Sequence, residues 1–93
     1  MYYVYALTNK TNEVIYIGIT NDLSRRLREH RNGEVIGFTK RYHVHKLVYF
    51  EEYSEVEDAI AREKQLKHWR REKKKMLLNS QNPNWDDLGI AFI

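Results

Sequence analysis

The strongest constraint on the fold is a pair of short, tyrosine-rich runs near the start of the chain. Residues 3–18 read YVYALTNKTNEVIYIG, and both ends of this segment are rich in the β-branched and aromatic residues that strands favour. Between them, residues 9–12 (Asn-Lys-Thr-Asn) have the composition of a turn. The segment therefore predicts an antiparallel hairpin with strands at residues 2–7 and 14–19.

A four-residue loop sets the predicted register of this hairpin. It places Thr8 opposite Glu13, and further along it places Tyr5 opposite Tyr16. Side chains alternate between the two faces of a strand. One face then collects Val4, Ala6, Ile15, Ile17 and Ile19, and the other collects Tyr3, Tyr5, Leu7, Val14, Tyr16 and Gly18. We expect the aliphatic face to be core and two phenols to lie side by side on the other face.

The following segments predict a helix and a third strand. The run TNDLSRRLREHR predicts a helix that is capped by Thr20 or Asn21. Leu23 and Leu27 form its apolar stripe. After an irregular connection that is basic and aromatic, residues 46–53 (KLVYFEEY) have the composition of a strand.

The last part of the chain predicts more helix. Ser54 begins a capping-box sequence, SEVE, ahead of a long helix. A further helical segment ends at residues 82–83 (Asn-Pro), because proline cannot continue a helix. The order β-β-α-β-α-α indicates an α+β fold with a small three-stranded antiparallel sheet flanked by helices. We expect one domain over residues 1–93, with an irregular tail at about residues 80–93.

Composition and charge narrow the classes of function. The chain has no cysteine, which excludes disulfides and a thiolate zinc site. No apolar run approaches the length of a membrane span, and no signal peptide is recognised, so a cytoplasmic location is expected by default. Eight of the sixteen Lys and Arg residues lie between positions 62 and 75, although the net charge is only +3. This bias favours nucleic acid as a partner, with a solvated helix face as the alternative.

A glutamate interrupts the apolar face of the long helix. The apolar positions of that helix are Val56, Ala59, Ile60 and Leu66. Glu63 falls on the same face of the helical period. An ionised carboxylate that faces a core costs several kcal/mol unless it is paired or binds a metal. Two interpretations are open: an ion pair with a nearby arginine or a place at the margin of the stripe, and a role as a metal ligand.

Glu63 belongs to a set of residues with a common chemistry. Arg26 and His30 are four residues apart, which makes them neighbours on one edge of the first helix. The two phenols and the guanidinium of Arg26 supply hydrogen bonds and positive charge to a phosphate. A lone carboxylate binds one divalent cation whose other ligands are water and phosphate oxygens.

The same residues resemble the signature of the GIY-YIG nuclease superfamily. Its two signature runs match residues 3–5 (YVY) and 16–18 (YIG), with a tyrosine in place of the first glycine. The catalytic arginine of the family matches Arg26, a histidine of several members matches His30, and its metal-binding glutamate matches Glu63 in AREKQLKHW. The resemblance covers most of the chain, whose length is similar to that of the small stand-alone bacterial branch.

The resemblance implies metal-dependent hydrolysis of a DNA phosphodiester, as nicking or structure-directed cleavage in DNA repair or recombination. In that mechanism Glu63 holds one Mg²⁺ or Mn²⁺ ion, and Arg26 stabilises charge on the phosphoryl oxygens. Tyr5 takes a proton from the attacking water or orients it, and Tyr16 completes the hydrogen-bond network. His30 bonds to a tyrosine or relays a proton. A phenol is a poor base at neutral pH unless positive charge lowers its pKa or another acceptor helps.

Further positions are candidates for contact with DNA. They comprise residues of the irregular connection and cations of the long helix that are expected opposite Glu63, namely Lys40, Arg41, Tyr42, Lys64, Lys67 and Arg71. His43 and His45 lie two residues apart, where ordinary surface positions and a metal pair are the alternatives. Asn84 or Asp86 lies near the position of an asparagine that many family members carry.

Two rival functions stay open beside the nuclease. One is a non-catalytic nucleic-acid-binding protein on the same scaffold. The other is a nuclease module that takes its specificity from a protein partner, because 93 residues leave no room for a separate recognition domain.

Overall fold

A three-stranded antiparallel sheet organises the protein, and helices cover both of its faces. The computed structural model describes residues 1–34, 37 and 41–92. The strands are β1 (Tyr2–Thr8), β2 (Ile15–Thr20) and β3 (Lys46–Tyr53), in the spatial order β2-β1-β3. The helices are α1 (Leu23–Arg31), α2 (Val56–His68) and α3 (Arg71–Gln81), followed by a 3₁₀-helix (Leu88–Phe92). The predicted α+β class and element order are confirmed.

The hairpin loop between β1 and β2 is longer than predicted. Thr8 pairs with Ile15 and not with Glu13, so the loop comprises residues 9–14. The side-chain Oδ1 of Asn9 accepts hydrogen bonds from the backbone N–H groups of Glu13 and Val14, at 2.9 and 3.1 Å. These two residues therefore belong to the loop and not to the ladder.

The longer loop displaces the register by two residues. Tyr5 pairs with Gly18, so the predicted pairing of Tyr5 with Tyr16 is wrong. Because the displacement is even, every side chain keeps its predicted face. The sorting of aliphatic side chains from tyrosines is thus confirmed although the register is not.

Each face of the sheet has its own hydrophobic core. The core under α2 and α3 consists of Val4, Ala6, Ile17, Val48, Tyr49, Ala59, Leu66, Leu78 and Trp85. The core under α1 consists of Tyr5, Leu7, Leu23, Leu27, Val44 and Leu47, with Leu88 and Phe92 of the 3₁₀-helix packed against it. Helix α1 therefore covers the tyrosine face. Within the described part of the chain, each helix is too short or too polar to cross a lipid bilayer.

Asp22 caps α1, and not Thr20 or Asn21 as predicted. Its carboxylate accepts a hydrogen bond from the backbone N–H of Arg25 at 3.1 Å. Thr20 stabilises the turn before the helix, because its hydroxyl oxygen accepts a hydrogen bond from the N–H of Asp22 at 3.1 Å. This bond holds Asp22 in the position from which it caps α1.

The C-terminal part is more regular than predicted. Helix α2 begins after Glu55, whose side chain makes no capping hydrogen bond, so the predicted capping box at Ser54 is wrong. Helix α3 reaches Gln81 and the 3₁₀-helix follows, so the expected tail contains helical structure. The side-chain amide of Asn82 donates to the carbonyl oxygens of Val48 at 3.0 Å and Asp86 at 2.9 Å. These bonds tie the end of the chain to β3.

Candidate active site

Tyr5 lies at the centre of the site, on β1 and against a glycine of β2. Its side chain is 1% exposed, and its partner in the register is Gly18. A Cβ atom on Gly18 would lie 2.4 Å from both Cζ and the hydroxyl oxygen of Tyr5, which is far inside van der Waals contact. The YIG run therefore ends in glycine because the Tyr5 ring passes directly over that position.

Helix α1 brings a guanidinium and an imidazole to the Tyr5 hydroxyl. Leu23 and Leu27 hold α1 against the tyrosine face. Arg26 and His30 lie one turn apart on that helix. Arg26 Nε donates to the Tyr5 hydroxyl oxygen at 3.4 Å, and His30 Nε2 lies 3.2 Å from the same oxygen. The structure thus brings together three of the predicted site residues.

Burial sets the charge state of His30 in this cluster, and the contacts of the Tyr5 oxygen join it to both side chains of α1. Burial, helped by the positive charge of Arg26, lowers the pKa of His30 to about 4, so the imidazole is neutral at pH 7. A guanidinium only donates, so the Tyr5 oxygen accepts from Arg26, and the same oxygen lies within hydrogen-bond distance of Nε2 of the neutral His30.

The hydroxyl of Tyr5 stays protonated at neutral pH. Burial raises the pKa of Tyr5 to about 12, and the hydrogen bond from Arg26 only partly offsets it. The charges of Tyr16 and Glu63 act in the same direction as burial. At pH 7 only about one molecule in 10⁵ carries the phenolate. This result argues against Tyr5 as the base that takes a proton from water.

Tyr16 is the more accessible of the two phenols. Its ring centroid lies 6.4 Å from that of Tyr5 and 5.8 Å from that of His30, and its side chain is half-buried. The displaced register sets Tyr16 diagonal to Tyr5 and not opposite it. Both tyrosines therefore belong to the cluster, and Tyr16 presents more surface to solvent.

Helix α2 places Glu63 at the margin of its buried face. Ala59 and Leu66 are buried and define the inward line of the helix, whereas Ile60 is 40% exposed. The predicted inward position of Ile60 is wrong, because it lies about 100° around the helix from Ala59. Glu63 keeps 15% of its side chain exposed and pairs with Lys67 at 3.2 Å. Its partner is thus a lysine of its own helix and not the arginine considered from sequence.

Glu63 is electrostatically linked to the tyrosine cluster. Its negative charge contributes to the raised pKa of Tyr5, although α2 and α1 pack on opposite faces of the sheet. Among residues 1–34, 37 and 41–92, no group of three or more His, Asp or Glu side chains is arranged to hold a metal ion. A lone carboxylate suits a single Mg²⁺ ion, which keeps several water ligands. Metal binding at Glu63 stays a prediction.

The cations of α2 and α3 do not form the stripe predicted from the sequence. Lys67 pairs with Glu63, so the prediction that it lies opposite Glu63 is wrong. A break at residues 69–70 separates the two helices, and Arg71 begins α3. The guanidinium of Arg71 donates to the carbonyl oxygen of Asn12 at 3.0 Å, which ties α3 to the hairpin loop.

The remaining candidates for DNA contact lie at the surface. Arg41 and Tyr42 are exposed, and the Arg41 guanidinium lies 5.6 Å from the centre of the Tyr42 ring. Lys64 is exposed on α2. Lys40 lies outside the described residues. DNA contact by these residues stays a prediction.

A partly buried ion pair near β3 was not apparent from the sequence. Glu51 accepts hydrogen bonds from Arg62 at 2.9, 3.0 and 3.3 Å, and also from the hydroxyls of Tyr49 and Tyr53. These residues come from β3 and α2, eleven positions apart in the chain. Only the packing of α2 on the sheet brings them together.

A cavity of about 400 Å³ was also missed. It is lined by Lys10, His43, His45, Lys46 and Asp87. The spacing of His43 and His45 was its one visible signal in the sequence. Two of the other lining residues, Lys10 and Asp87, lie more than 30 residues away from these histidines along the chain, so no local pattern contains the whole set.

Comparisons with known proteins agree with this fold. Residues 1–76 match the family model described as the GIY-YIG catalytic domain. A UPF0213 protein of Haloquadratum walsbyi is 38% identical over 76 residues, which cover 82% of this chain and 84% of the relative. Another from Clostridium perfringens is 38% identical over 82 residues, covering 88% and 87%. The solution NMR structure of a UPF0213 protein from Bacillus halodurans has a TM-score of 0.59 at 30% identity, covering 94% of this chain and 93% of that one.

The chain therefore belongs to the GIY-YIG family, a family of nucleases. Within that family it is similar to the small UPF0213 proteins of bacteria and archaea. The resemblance predicted from the sequence is confirmed. The matched region contains all five predicted catalytic residues: Tyr5, Tyr16, Arg26, His30 and Glu63. Their individual roles stay predictions.

Proposed function

We propose that the protein hydrolyses a phosphodiester bond of DNA with the help of one divalent cation, as a nicking or structure-directed endonuclease. The observation that carries this proposal is the single hydroxyl oxygen of Tyr5, which is shared by Arg26 and His30. Membership of a nuclease family supports the reaction class. The match to the family model occupies residues 1–76 of the 93. The proposal is also compatible with a protein partner that supplies specificity.

Arg26 is the group best suited to bind the scissile phosphate. A guanidinium has five N–H donors, of which Nε serves Tyr5 and Nη1 serves Glu29 at 3.3 Å. The side chain of Arg26 is 35% exposed, so phosphoryl oxygens can reach its other N–H groups. Because Tyr5 is neutral, that hydrogen bond leaves the positive charge of Arg26 uncancelled. The charge then stabilises the negative charge that develops on the phosphoryl oxygens during hydrolysis.

Tyr5 and His30 act as positioning residues for Arg26. Their side chains are 1% and 4% exposed, which keeps water and substrate away from them. The hydrogen bond between neutral His30 and the Tyr5 hydroxyl holds that hydroxyl in place, where its oxygen accepts a hydrogen bond from Arg26. Half-buried Tyr16 is then the phenol that contacts the substrate or orients the attacking water.

Glu63 is the residue that would hold Mg²⁺ or Mn²⁺. When bound, such an ion supplies Lewis-acid stabilisation of the phosphoryl oxygen and of the leaving group. Lys67 Nζ lies 3.2 Å from the Glu63 carboxylate and competes for it in the free protein. The Lys67 side chain is 48% exposed, so it can turn into solvent and release the carboxylate.

The test is cleavage of labelled duplex, single-stranded and branched DNA in the presence of Mg²⁺, Mn²⁺ or EDTA. We expect Glu63→Gln to lower metal-dependent cleavage about 100-fold or more. Glu57→Gln is the matched control, because Glu57 lies in the first turn of the same helix. The melting temperature of Glu63→Gln should stay close to that of the wild type, since an i,i+4 ion pair contributes only about 0.3–0.5 kcal/mol.

Full cleavage by Glu63→Gln would overturn this proposal. If the wild type binds DNA but cleaves none of these substrates with either metal, the result would favour the hypothesis of a non-catalytic nucleic-acid-binding protein. Cleavage that begins only when a cell extract is added would favour the module that needs a partner.

A further inference from the structure

We infer that the cavity between the β1–β2 loop and the start of β3 is a second phosphate-binding site, which holds a non-scissile phosphate of the substrate strand. This inference rests on the proposed function, because it extends the same nucleic-acid path. The loop contributes Lys10, and the segment that enters β3 contributes His43, His45 and Lys46. The cavity of about 400 Å³ is in the size range of ordinary ligand pockets.

The carboxylate of Asp87 in the wall of this cavity does not repel an anion. Its Oδ2 pairs with Arg31 at 3.0 Å, and its Oδ1 accepts from the backbone N–H groups of Leu47 at 3.2 Å and Gly89 at 2.9 Å. The negative charge of Asp87 is thus balanced by a guanidinium and by two backbone dipoles. The two lysines of the lining therefore give the cavity a net positive potential.

The basic side chains supply the donors that a phosphate needs. Each lysine ammonium has three N–H donors, and an imidazole has at least one in either protonation state. One donor of Lys46 is used by Asn12, whose Oδ1 lies at 2.6 Å, and this bond ties Lys46 to the β1–β2 loop. His43 has a φ of 54°, which is uncommon for a residue with a side chain. That backbone turn accompanies the placement of both histidines in one wall.

The cavity lies within a few nucleotides of the candidate active site. Lys46 pairs with Thr8 of β1, three residues along the strand from Tyr5. Three residues of a strand span about 10 Å, which is close to the rise of three steps along one strand of B-form DNA, about 3.4 Å each.

The experiment is an NMR titration of ¹⁵N-labelled protein in EDTA with a six-nucleotide oligothymidylate, thymidine monophosphate or inorganic phosphate. We expect saturable shifts of the His43 and His45 resonances with the oligonucleotide, and weaker binding of the two small phosphates. The backbone amide of Ser80, exposed at the end of α3, is the internal reference, and its resonance should move little. Lys10→Gln should weaken binding of the oligonucleotide about threefold to tenfold at low salt and lower the salt slope by about 0.7. Lys75→Gln, an exposed control on α3, should leave the shifts at His43 and His45 unchanged.

Several outcomes would overturn the inference. Shifts at the Ser80 amide as large as those at His43 and His45 would show general attraction and no site. Undiminished oligonucleotide binding by Lys10→Gln would remove the cavity from the binding path. Equal affinity for thymidine monophosphate and the oligonucleotide would indicate that the cavity binds a mononucleotide and not a strand of nucleic acid. The titration contains no metal, so it tests binding at the cavity separately from cleavage. Binding at the cavity would stand even if the protein cleaved no DNA, and observed cleavage would not compensate for an absence of binding there.

Discussion

Each face of the sheet carries an arginine among tyrosines, and the two clusters differ in what the arginine faces. On the α2 side, Arg62 approaches the Glu51 carboxylate at 2.9, 3.0 and 3.3 Å. On the α1 side, Arg26 donates Nε to the neutral hydroxyl of Tyr5 and contacts the half-buried Glu29 at 3.3 Å. The first cluster pairs one guanidinium with one carboxylate. In the second, Arg25 and Arg26 share the single carboxylate of Glu29, so net positive charge remains for an external anion.

The Glu51 cluster is a structural joint between β3 and α2. Burial pushes the pKa of Glu51 upward, but hydrogen bonds from Arg62, Tyr49 and Tyr53 push it down by more, so the net pKa is lowered. Burial and this carboxylate together raise the pKa of Tyr53 to about 12. Trp69 packs against the Arg62 guanidinium, whose carbon lies 5.2 Å from the ring centre. Glu51 and Arg62 thus balance each other's charge within the fold, and removal of either partner would leave the other partly buried without its counter-charge.

The comparison is tested most severely by Arg26→Ala. We expect at least a 100-fold loss of metal-dependent nicking, about 3 kcal/mol of lost transition-state stabilisation. Folding should change little, because 35% of the Arg26 side chain is exposed. Arg25→Ala on the same helix is the control, since Arg25 is 54% exposed and only reaches Glu29 at 4.0 Å. Single-turnover nicking of a supercoiled plasmid measures the difference, and equal rates for the two variants would end the contrast between the clusters.

Arg62→Ala should have the opposite profile. It leaves Glu51, which is 16% exposed, without its cation, so we expect the free energy of unfolding to fall by about 2–3 kcal/mol. The nicking rate of the folded fraction should stay at the wild-type value. Urea unfolding and plasmid nicking give the two readouts. Lost nicking with intact stability would mean that the structural cluster had been confused with the functional one.

Acid should weaken the α1 cluster through His30. The pKa of His30 is about 4 in the folded protein, against an ordinary value of 6.5 in the unfolded chain, so the unfolded state binds more protons between these values. The stability that neutral His30 provides is therefore complete above pH 6.5 and is lost as the pH falls toward 4. We expect the free energy of unfolding to drop by about 2 kcal/mol between pH 7 and pH 5. Urea titrations at both pH values should show this drop for the wild type and for His68→Gln, but not for His30→Gln.

The smallest expected effect concerns the two carboxylates. Glu51 is locked by Arg62, whereas Glu63 is held by Lys67, which is 48% exposed. Lys67→Gln removes a competing cation and should raise the affinity for Mn²⁺ about threefold to tenfold, roughly 1 kcal/mol. Electron paramagnetic resonance titration of free Mn²⁺ measures the affinity, with Lys64→Gln as the control. An unchanged affinity would place any bound metal away from Glu63.

Features that depend on local periodicity were predictable from the sequence. The three strands, the helices and the sorting of the hairpin side chains follow from alternation and helical spacing. The identity of the five candidate site residues came from their spacing and its resemblance to a nuclease signature. Such patterns survive errors of detail, since a register displaced by two residues leaves each side chain on its face.

The sequence by itself thus determined the fold class, the family and which residues share a face. Only the tertiary structure decided the register, the salt-bridge partner of Glu63 and the grouping of Lys10 with the histidines at one cavity. It also decided the protonation of Tyr5, because burial under α1 outweighs the neighbouring guanidinium. The physical reason is common to all of these. Hydrogen bonds, charge interactions and desolvation depend on distances between segments that are remote in the chain. The periodicity of the sequence does not predict those distances.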